Sequence, residues 1–276
     1  MAKAENRGLG MTEFKLLEDD EAPPVTVERE AGASPFVIAV DHASNRIPRR
    51  LGDLGLSARE RQRHIAWDIG AAEVARGLSE ALDAACVLQN YSRLVVDCNR
   101  SPNVTSSVPV LSESTPIPGN KDLSSAERLA RIREVLDPYQ DRIAELLDAR
   151  DLAKRPSVLI ALHSFTPRFL GEARPWHIGL LYNRDARLAH AMMALLAEQR
   201  DLVVGDNQPY AVSDETDYTI PVHGEQRGLI HVEIEIRQDL VTLPEGQAEW
   251  AERLAELLPR SLERVIAEHL GSDGDS

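Results

Sequence analysis

What the 276-residue sequence lacks narrows its chemistry first. It holds two cysteines, Cys86 and Cys98, both in apolar surroundings and neither in a Cys-x-x-Cys pair. A multi-cysteine framework is therefore excluded, and a reducing interior is the expected setting. Basic residues are scarce, 31 Lys and Arg against 45 Asp and Glu, for a formal charge of −14. Phosphate backbones are bound by clustered Lys and Arg, so no nucleic acid and no anionic membrane is expected as a partner. The negative surface points to solubility. No stretch approaches the ~18 apolar residues of a membrane span. The opening MAKAENRGLGMTEF lacks the apolar core of a signal peptide, so a cytoplasmic protein is expected. Also absent are a G-x-S-x-G elbow, a P-loop, a His-Glu-x-x-His helix and a G-x-G-x-x-G turn opening a helix.

What is present is ample for one large core, with 43% apolar residues. Residues 1–10 read as a flexible tail, and 11–276 as one domain, since no composition break or internal repeat divides them. Unbroken apolar runs of the kind buried on both faces occur at Phe36 to Val40 and Val158 to Leu162. Further strands are expected around Val87-Leu88, Leu94 to Val96, Ile178 to Leu181, Leu202 to Val204 and Leu229 to Ile236. Ser57 with Glu60 and Ser124 with Glu127 form capping boxes that open helices. Another helix follows Asp68, with Val74, Leu78 and Leu82 on one face. Pro138 is expected to break or kink the helix that begins at Ser124. Helices also fill Arg187 to Gln199 and Gln247 to Glu268. Residues 101–120 read as a long loop of the binding or lid type. The alternation of strand and helix argues for an α/β fold, a mostly parallel sheet with helices on both sides.

Ligands in such sheets gather at the carboxyl ends of strands. His42 follows the first buried run and His163 follows the second. Two imidazoles at two strand tips suit zinc with nitrogen and oxygen ligands, although a lone histidine at such a place is more often structural. Asp68 fits equally as the third ligand or as the cap of its helix. Glu233 and Glu235 share one strand face, and one could be catalytic while the other pairs with Arg237. Arg93 and Arg100 flank the Leu94 to Val96 segment, beside Asn99. A guanidinium reads a carboxylate through two parallel hydrogen bonds, and the alternative is an internal Arg93–Asp97 ion pair. His223, in a glycine-flanked loop, is the one further histidine with a candidate role.

The segments FVIAVDHASNRIP, WDIGAAEVARGL, NYSRLVVDCNRSPN, PSVLIALHSFTP and GLIHVEIEIRQDL together resemble the N-formylglutamate amidohydrolase family. The likeness runs in order from about Leu16 to Leu257. It implies a three-layer α/β/α sandwich, phosphorylase/hydrolase-like, with a mostly parallel mixed sheet. It also implies zinc-dependent cleavage of an N-formyl or N-acyl amino acid. The layout is similar to the zinc amidases of cell-wall peptides and to zinc carboxypeptidases. Carried over by position, the resemblance implies His42, Asp68 and His163 as Zn2+ ligands and Glu235 as general base. Arg93, Arg100 and Asn99 would bind a small carboxylate-bearing substrate, and His223 would stabilise the oxyanion. The formylglutamate deformylases proper carry a His-Ser-Gly-Thr type sequence where this chain has His42-Ala43-Ser44-Asn45. They carry Pro-Tyr-His where it has Pro138-Tyr139-Gln140. These departures mark a divergent subgroup. The rival expectations are a zinc amidase or peptidase on cell-wall peptides, and a non-catalytic binder of an amino-acid derivative.

Overall fold

The computed structural model describes residues 14–199 and 201–272, so the segment 1–10 read as a tail lies outside the described residues. The strands are β1 (Val25–Glu28), β2 (Phe36–Val40), β3 (Ala85–Gln89), β4 (Leu111–Ser112), β5 (Thr115–Pro116), β6 (Val158–Phe165), β7 (Arg168–Phe169), β8 (Glu172–Ala173), β9 (Ile178–Leu181), β10 (Val204–Asp206) and β11 (Ile230–Arg237). The α-helices are α1 (Ala71–Leu82), α2 (Ser125–Arg131), α3 (Asp137–Leu152), α4 (Arg187–Leu196) and α5 (Pro244–Ser272). Seven strands form one sheet in the order β1-β3-β2-β6-β11-β9-β10. The central strands β3, β2, β6 and β11 are parallel, while β1 and the β9–β10 pair run the other way.

Alternation along the strands sorts side chains into two cores. Ile38, Ile160 and Ile234 face α1, α4 and α5, where Val74, Leu78, Leu188 and Leu254 are buried. Val37, Ala39, Leu159 and Ala161 face α3, where Tyr139, Ile143 and Leu147 are buried. Both faces of β2 and β6 are thus covered, which is why their sequences are apolar without a break. The result is a three-layer α/β/α sandwich around a mostly parallel mixed sheet. No helix among the described residues is long and apolar enough to cross a membrane.

Several local expectations change. Leu94 to Val96 is a buried turn rather than a strand: the Ser92 hydroxyl accepts from Leu94 N at 3.1 Å, and Val95 N donates to Ser92 O at 2.9 Å. Serine competes here with the ladder, as it does in short turns. The Ser57–Glu60 box forms both of its hydrogen bonds, yet opens only a 3-10 turn at Glu60–Gln62. Pro138 does not break its helix. A π-helical segment, Ile132–Leu136, already shifts the hydrogen-bond ladder, and Pro138 falls in the first turn of α3, where its missing N–H leaves no gap. The four-residue edge strand β1 and the short β4–β5 and β7–β8 hairpins had no reading in the sequence. β10 starts at Val204, two residues later than expected.

Chain order along the sheet reverses between β2, which leads through α1 to β3, and β6, whose continuation lies on the other side. That reversal point is where open α/β sheets bind ligands.

Candidate metal centre and active site

His42 lies two residues beyond β2, and His163 lies within β6, which runs on to Phe165. Asp68 reaches them because its segment is pinned on both sides: Asp68 N donates to His42 O at 3.0 Å, and Ser164 Oγ donates to Ile69 O at 2.8 Å. Gly70 completes the approach with φ +80°, and a Cβ there would lie 2.0 Å from Val241 O, so the position accepts only glycine.

Oδ2 of Asp68 lies 2.8 Å from His163 Nδ1 and 3.2 Å from His42 Nδ1. All three side chains are buried, and their ligand-type atoms lie within 4.8 Å of one another. The capping alternative for Asp68 is thereby removed: the N-cap of α1 is Gly70, without a side-chain bond, and the carboxylate faces the imidazoles. Each ring's other nitrogen meets a second carboxylate. His42 Nε2 is 2.7 Å from Asp97 Oδ1, and His163 Nε2 is 3.0 Å from Asp41 Oδ2, a contact poorly aligned for a hydrogen bond. Thr219 Oγ1 donates to the other Asp41 oxygen at 2.6 Å. Asp41 stood in the sequence as no more than the neighbour of His42, and Asp97 only as a partner for Arg93.

Three buried aspartates crowd two imidazoles and the Arg93 guanidinium. Burial opposes the charge on Asp68, but His42 and His163 hold its carboxyl far below the usual range. Burial likewise opposes charge on Asp97, and Arg93 and His42 hold it well down. Burial pushes His163 toward neutrality, yet Glu233, the close Asp41 carboxylate and the hydrogen bond to Asp68 carry it well above an ordinary histidine. Imidazole nitrogens and carboxylate oxygens converging in a buried place are the donor types that hold a divalent cation.

Glu233 and Glu235 face the same cavity from β11, where Glu235 is registered opposite His163 and Glu233 opposite Ala161. Burial raises Glu235 to about 7. Burial first, then Asp217 and Glu235, push Glu233 well above the usual carboxylate range. Oε2 of each is buried without a hydrogen bond. Neither pairs with Arg237, whose partner is Asp239 at 2.8 Å.

The cations divide. Arg93 is clamped by Asp97 Oδ2 at 2.7 and 3.1 Å and lies 3.5 Å from Asp68 Oδ1, so the internal ion pair exists and extends to the triad. Arg100 lines the cavity with its Nε 4.0 Å from Asp97. Asn99 also lines the cavity, but its polar atoms are mostly committed. Its Oδ1 accepts from Tyr218 N and Thr219 N at 3.0 Å, and its Nδ2 donates to Asp217 at 3.1 Å. It shapes the 213–219 turn and keeps one Nδ2 N–H for a ligand. His223 is the larger correction. It sits in a π-helical turn, Ile220–Glu225, outside the cavity lining, with Nε2 bonded to Gln140 Oε1 at 2.7 Å. Gln140 stands where the family resemblance had expected a histidine, and it ties His223 into the layer behind the site. Burial lowers His223 to about 4, so it is a neutral structural imidazole.

The cavity is about 490 Å³, and three loops form its mouth. From the 101–120 loop come Pro109, Leu111 and Glu113; from the β7–β8 region Phe169; and from the segment after β10 Tyr210. The guanidinium of Arg174 lies over the rings of both Phe169 and Tyr210, at 4.7 and 4.6 Å, and donates to Tyr210 Oη at 2.7 Å. Leu170 N donates to Glu113 Oε1 at 3.3 Å, and Glu113 pairs with Arg63. Leu170 and Gly171, the two central residues of the β7–β8 turn, have φ of 49° and 88°. A type I′ turn prefers Asn or Gly at the first of these, and a leucine in that conformation is disfavoured by roughly 1–2 kcal/mol. Below, α2 anchors the 101–120 loop. Buried Arg131 donates to Val95 O, Gly119 O and Asn120 Oδ1, and Arg128 donates to Pro102 O and Val104 O.

Residues 34–242 match the sequence model of the N-formylglutamate amidohydrolase family. Among solved structures, the chain is similar to the gene product Atu2144 of Agrobacterium tumefaciens. Identity is 43% and the TM-score 0.88, over 91% of this chain and 99% of that one. It is also similar in fold to an N-formylglutamate amidohydrolase from Ralstonia eutropha JMP134. There identity is 20% and the TM-score 0.65, over 87% of this chain and 99% of that one. A search of curated proteins finds no match. With the family model spanning most of its length, the chain belongs to the N-formylglutamate amidohydrolase family.

Proposed function

We propose that the protein is a zinc-dependent amidohydrolase that cleaves the amide of an N-acyl amino acid. The observation that carries this reading is the convergence of His42 Nδ1 and His163 Nδ1 on one Asp68 oxygen, with a second carboxylate behind each ring. Two nitrogens and one carboxylate oxygen make the donor set of many catalytic zinc sites, and carboxylates behind ligating histidines fix ring orientation and raise basicity. When bound, such an ion polarises an amide carbonyl and acidifies water.

The chain's own residues do the rest. Glu235, raised to about 7 by burial, is suited to take a proton from the attacking water and deliver it to the leaving amine. Arg100, with no closer side-chain partner than 4.0 Å among the described residues, is the guanidinium placed to grip a substrate carboxylate and orient the amide. Arg93, fixed between Asp68 and Asp97, is the stationary positive charge beside the triad, placed to face the negative charge that develops on the carbonyl oxygen. It takes the role that His223 had been expected to fill.

Elemental analysis together with turnover tests the reading. The parent should carry about one zinc per chain and hydrolyse some member of an N-acyl amino acid panel. His42→Ala and His163→Ala should each lose both metal and turnover while the fold persists. Retention of stoichiometric zinc in the double variant would reject the ligand assignment. A zinc-loaded parent that binds a panel member and hydrolyses none would favour a binding protein.

A further inference from the structure

Resting on that hydrolase reading, we propose that the substrate's acyl group is an apolar chain or ring of several carbons, seated on Leu111, Phe169, Leu170 and Tyr210 at the cavity mouth. A formyl group needs no such surface. The floor of the cavity is charged and buried, but its rim is apolar and exposed. Leu170 is 64% accessible, Leu111 and Val110 56% each, and Tyr210 43%. Leu111 and Tyr210 line the cavity itself, while Val110 and Leu170 adjoin the lining residues Pro109, Leu111 and Phe169. These side chains come from three separate loops and meet at one opening. Scattered surface leucines need no explanation, whereas a collar continuous with a polar cavity marks a binding surface.

Two features show that the collar is built. Arg174 stacks between Phe169 and Tyr210 and bonds the phenol, so the aromatic edge is held in place. Leu170 combines a left-handed backbone with an exposed apolar side chain, in a turn position that Asn would occupy without strain. Strain of that kind concentrates at sites of function. A volume near 490 Å³ also falls in the range that holds drug-sized ligands, well beyond a one-carbon acyl group.

The test is internal competition. Zinc-loaded parent enzyme is given a mixture of formyl, acetyl, butyryl, hexanoyl and phenylacetyl derivatives of the twenty common amino acids, and each amide is followed by mass spectrometry. For the amino acid preferred, relative kcat/KM should rise roughly two- to fourfold per methylene from acetyl to hexanoyl. Leu170→Asn should keep or raise Tm, since Asn suits the turn, yet cut the hexanoyl-to-acetyl ratio severalfold. Leu111→Asn should cut it as well. A ratio that is flat or falls with chain length in the parent overturns the proposal and leaves the hydrolase reading intact. So does an undiminished ratio in both variants. Turnover of no amide in the mixture would overturn both.

Discussion

Two cavities of the protein differ in kind, and the larger of the two is the quieter one. A space of about 690 Å³ lies between the start of α4 and the end of α5. There Arg184 is paired with Asp214 and Glu225, Arg187 with Asp185, and His190 with Tyr182 Oη at 3.1 Å. Among the described residues, one buried polar atom on its wall, His231 Nε2, lacks a hydrogen bond. At the smaller cavity His163 Nε2, Glu233 Oε2 and Glu235 Oε2 all lack one, as does Asp41 Oδ2 behind them. Volume reports only where atoms are missing. Buried polar groups left unsatisfied, with protonation pushed off its ordinary value, report where a ligand or a proton is awaited.

The sharpest way to break this contrast is at Glu235. Glu235→Gln keeps size and removes basicity, so metal and substrate binding should persist while kcat falls by roughly 10²–10⁴-fold. Glu233→Gln should be milder. A dead Glu233→Gln beside an active Glu235→Gln would exchange the two roles. In the parent, kcat/KM should fall toward acid along a limb set by Glu235, which burial raises to about 7 and a bound cation moves lower. That limb should vanish from the residual activity of Glu235→Gln.

Next in size is Arg100. Losing a bidentate charged contact is worth ~1.5–3 kcal/mol, or roughly 10–150-fold. Arg100→Lys should therefore raise KM for free acids by that order and leave KM for the matching neutral amides nearly unchanged. Equal effects on both would take carboxylate recognition away from Arg100.

His223 offers a stability test rather than a kinetic one. Its pKa is lowered by burial to about 4 from an ordinary 6.5. A histidine kept neutral in the fold contributes stability above pH 6.5 that is lost as pH falls toward 4, about 3 kcal/mol in all. Thermal melts of His223→Asn should decline less between pH 7 and 4 than those of the parent. Identical slopes would mean that His223 protonates freely in the fold.

The smallest effect is expected in the larger cavity. Arg184 is exposed and its ion pairs are screened by solvent, so Arg184→Ala should leave kcat/KM within about twofold. A tenfold change would mean that the paired cavity communicates with the unsatisfied one.

Much of the sheet was legible because both faces of β2 and β6 are buried, which writes itself as unbroken apolar sequence. The same runs pointed to His42 and His163, since each follows a buried apolar run. Asp68 was half legible: its place before α1 suited a cap as well as a ligand, and only the bond to His42 O and the glycine turn decide between them. Asp41 and Asp97 were hidden because their roles depend on which imidazole nitrogen they face, a three-dimensional fact. His223 misled for the reverse reason: flanking glycine suggested a mobile loop, whereas Gln140 fixes it in a π turn. The Leu94 to Val96 run read as a strand because its side chains are apolar, although the Ser92 hydroxyl curls its backbone. The mouth had no periodicity to betray it, being made of two-residue strands and turns.

Arg128 and Arg131 grip the 101–120 loop chiefly through carbonyl oxygens, and every amino acid supplies a carbonyl. The loop's path is thus largely uncoupled from the identity of its exposed side chains. Positions such as Val110 and Leu111 are free to drift under selection while the backbone keeps its course. Paralogues that share the two arginines could then diverge in the amides they accept by changing a few letters in one surface segment. For an engineer, a library confined to residues 110–112 would sample new preferences with little risk to the fold.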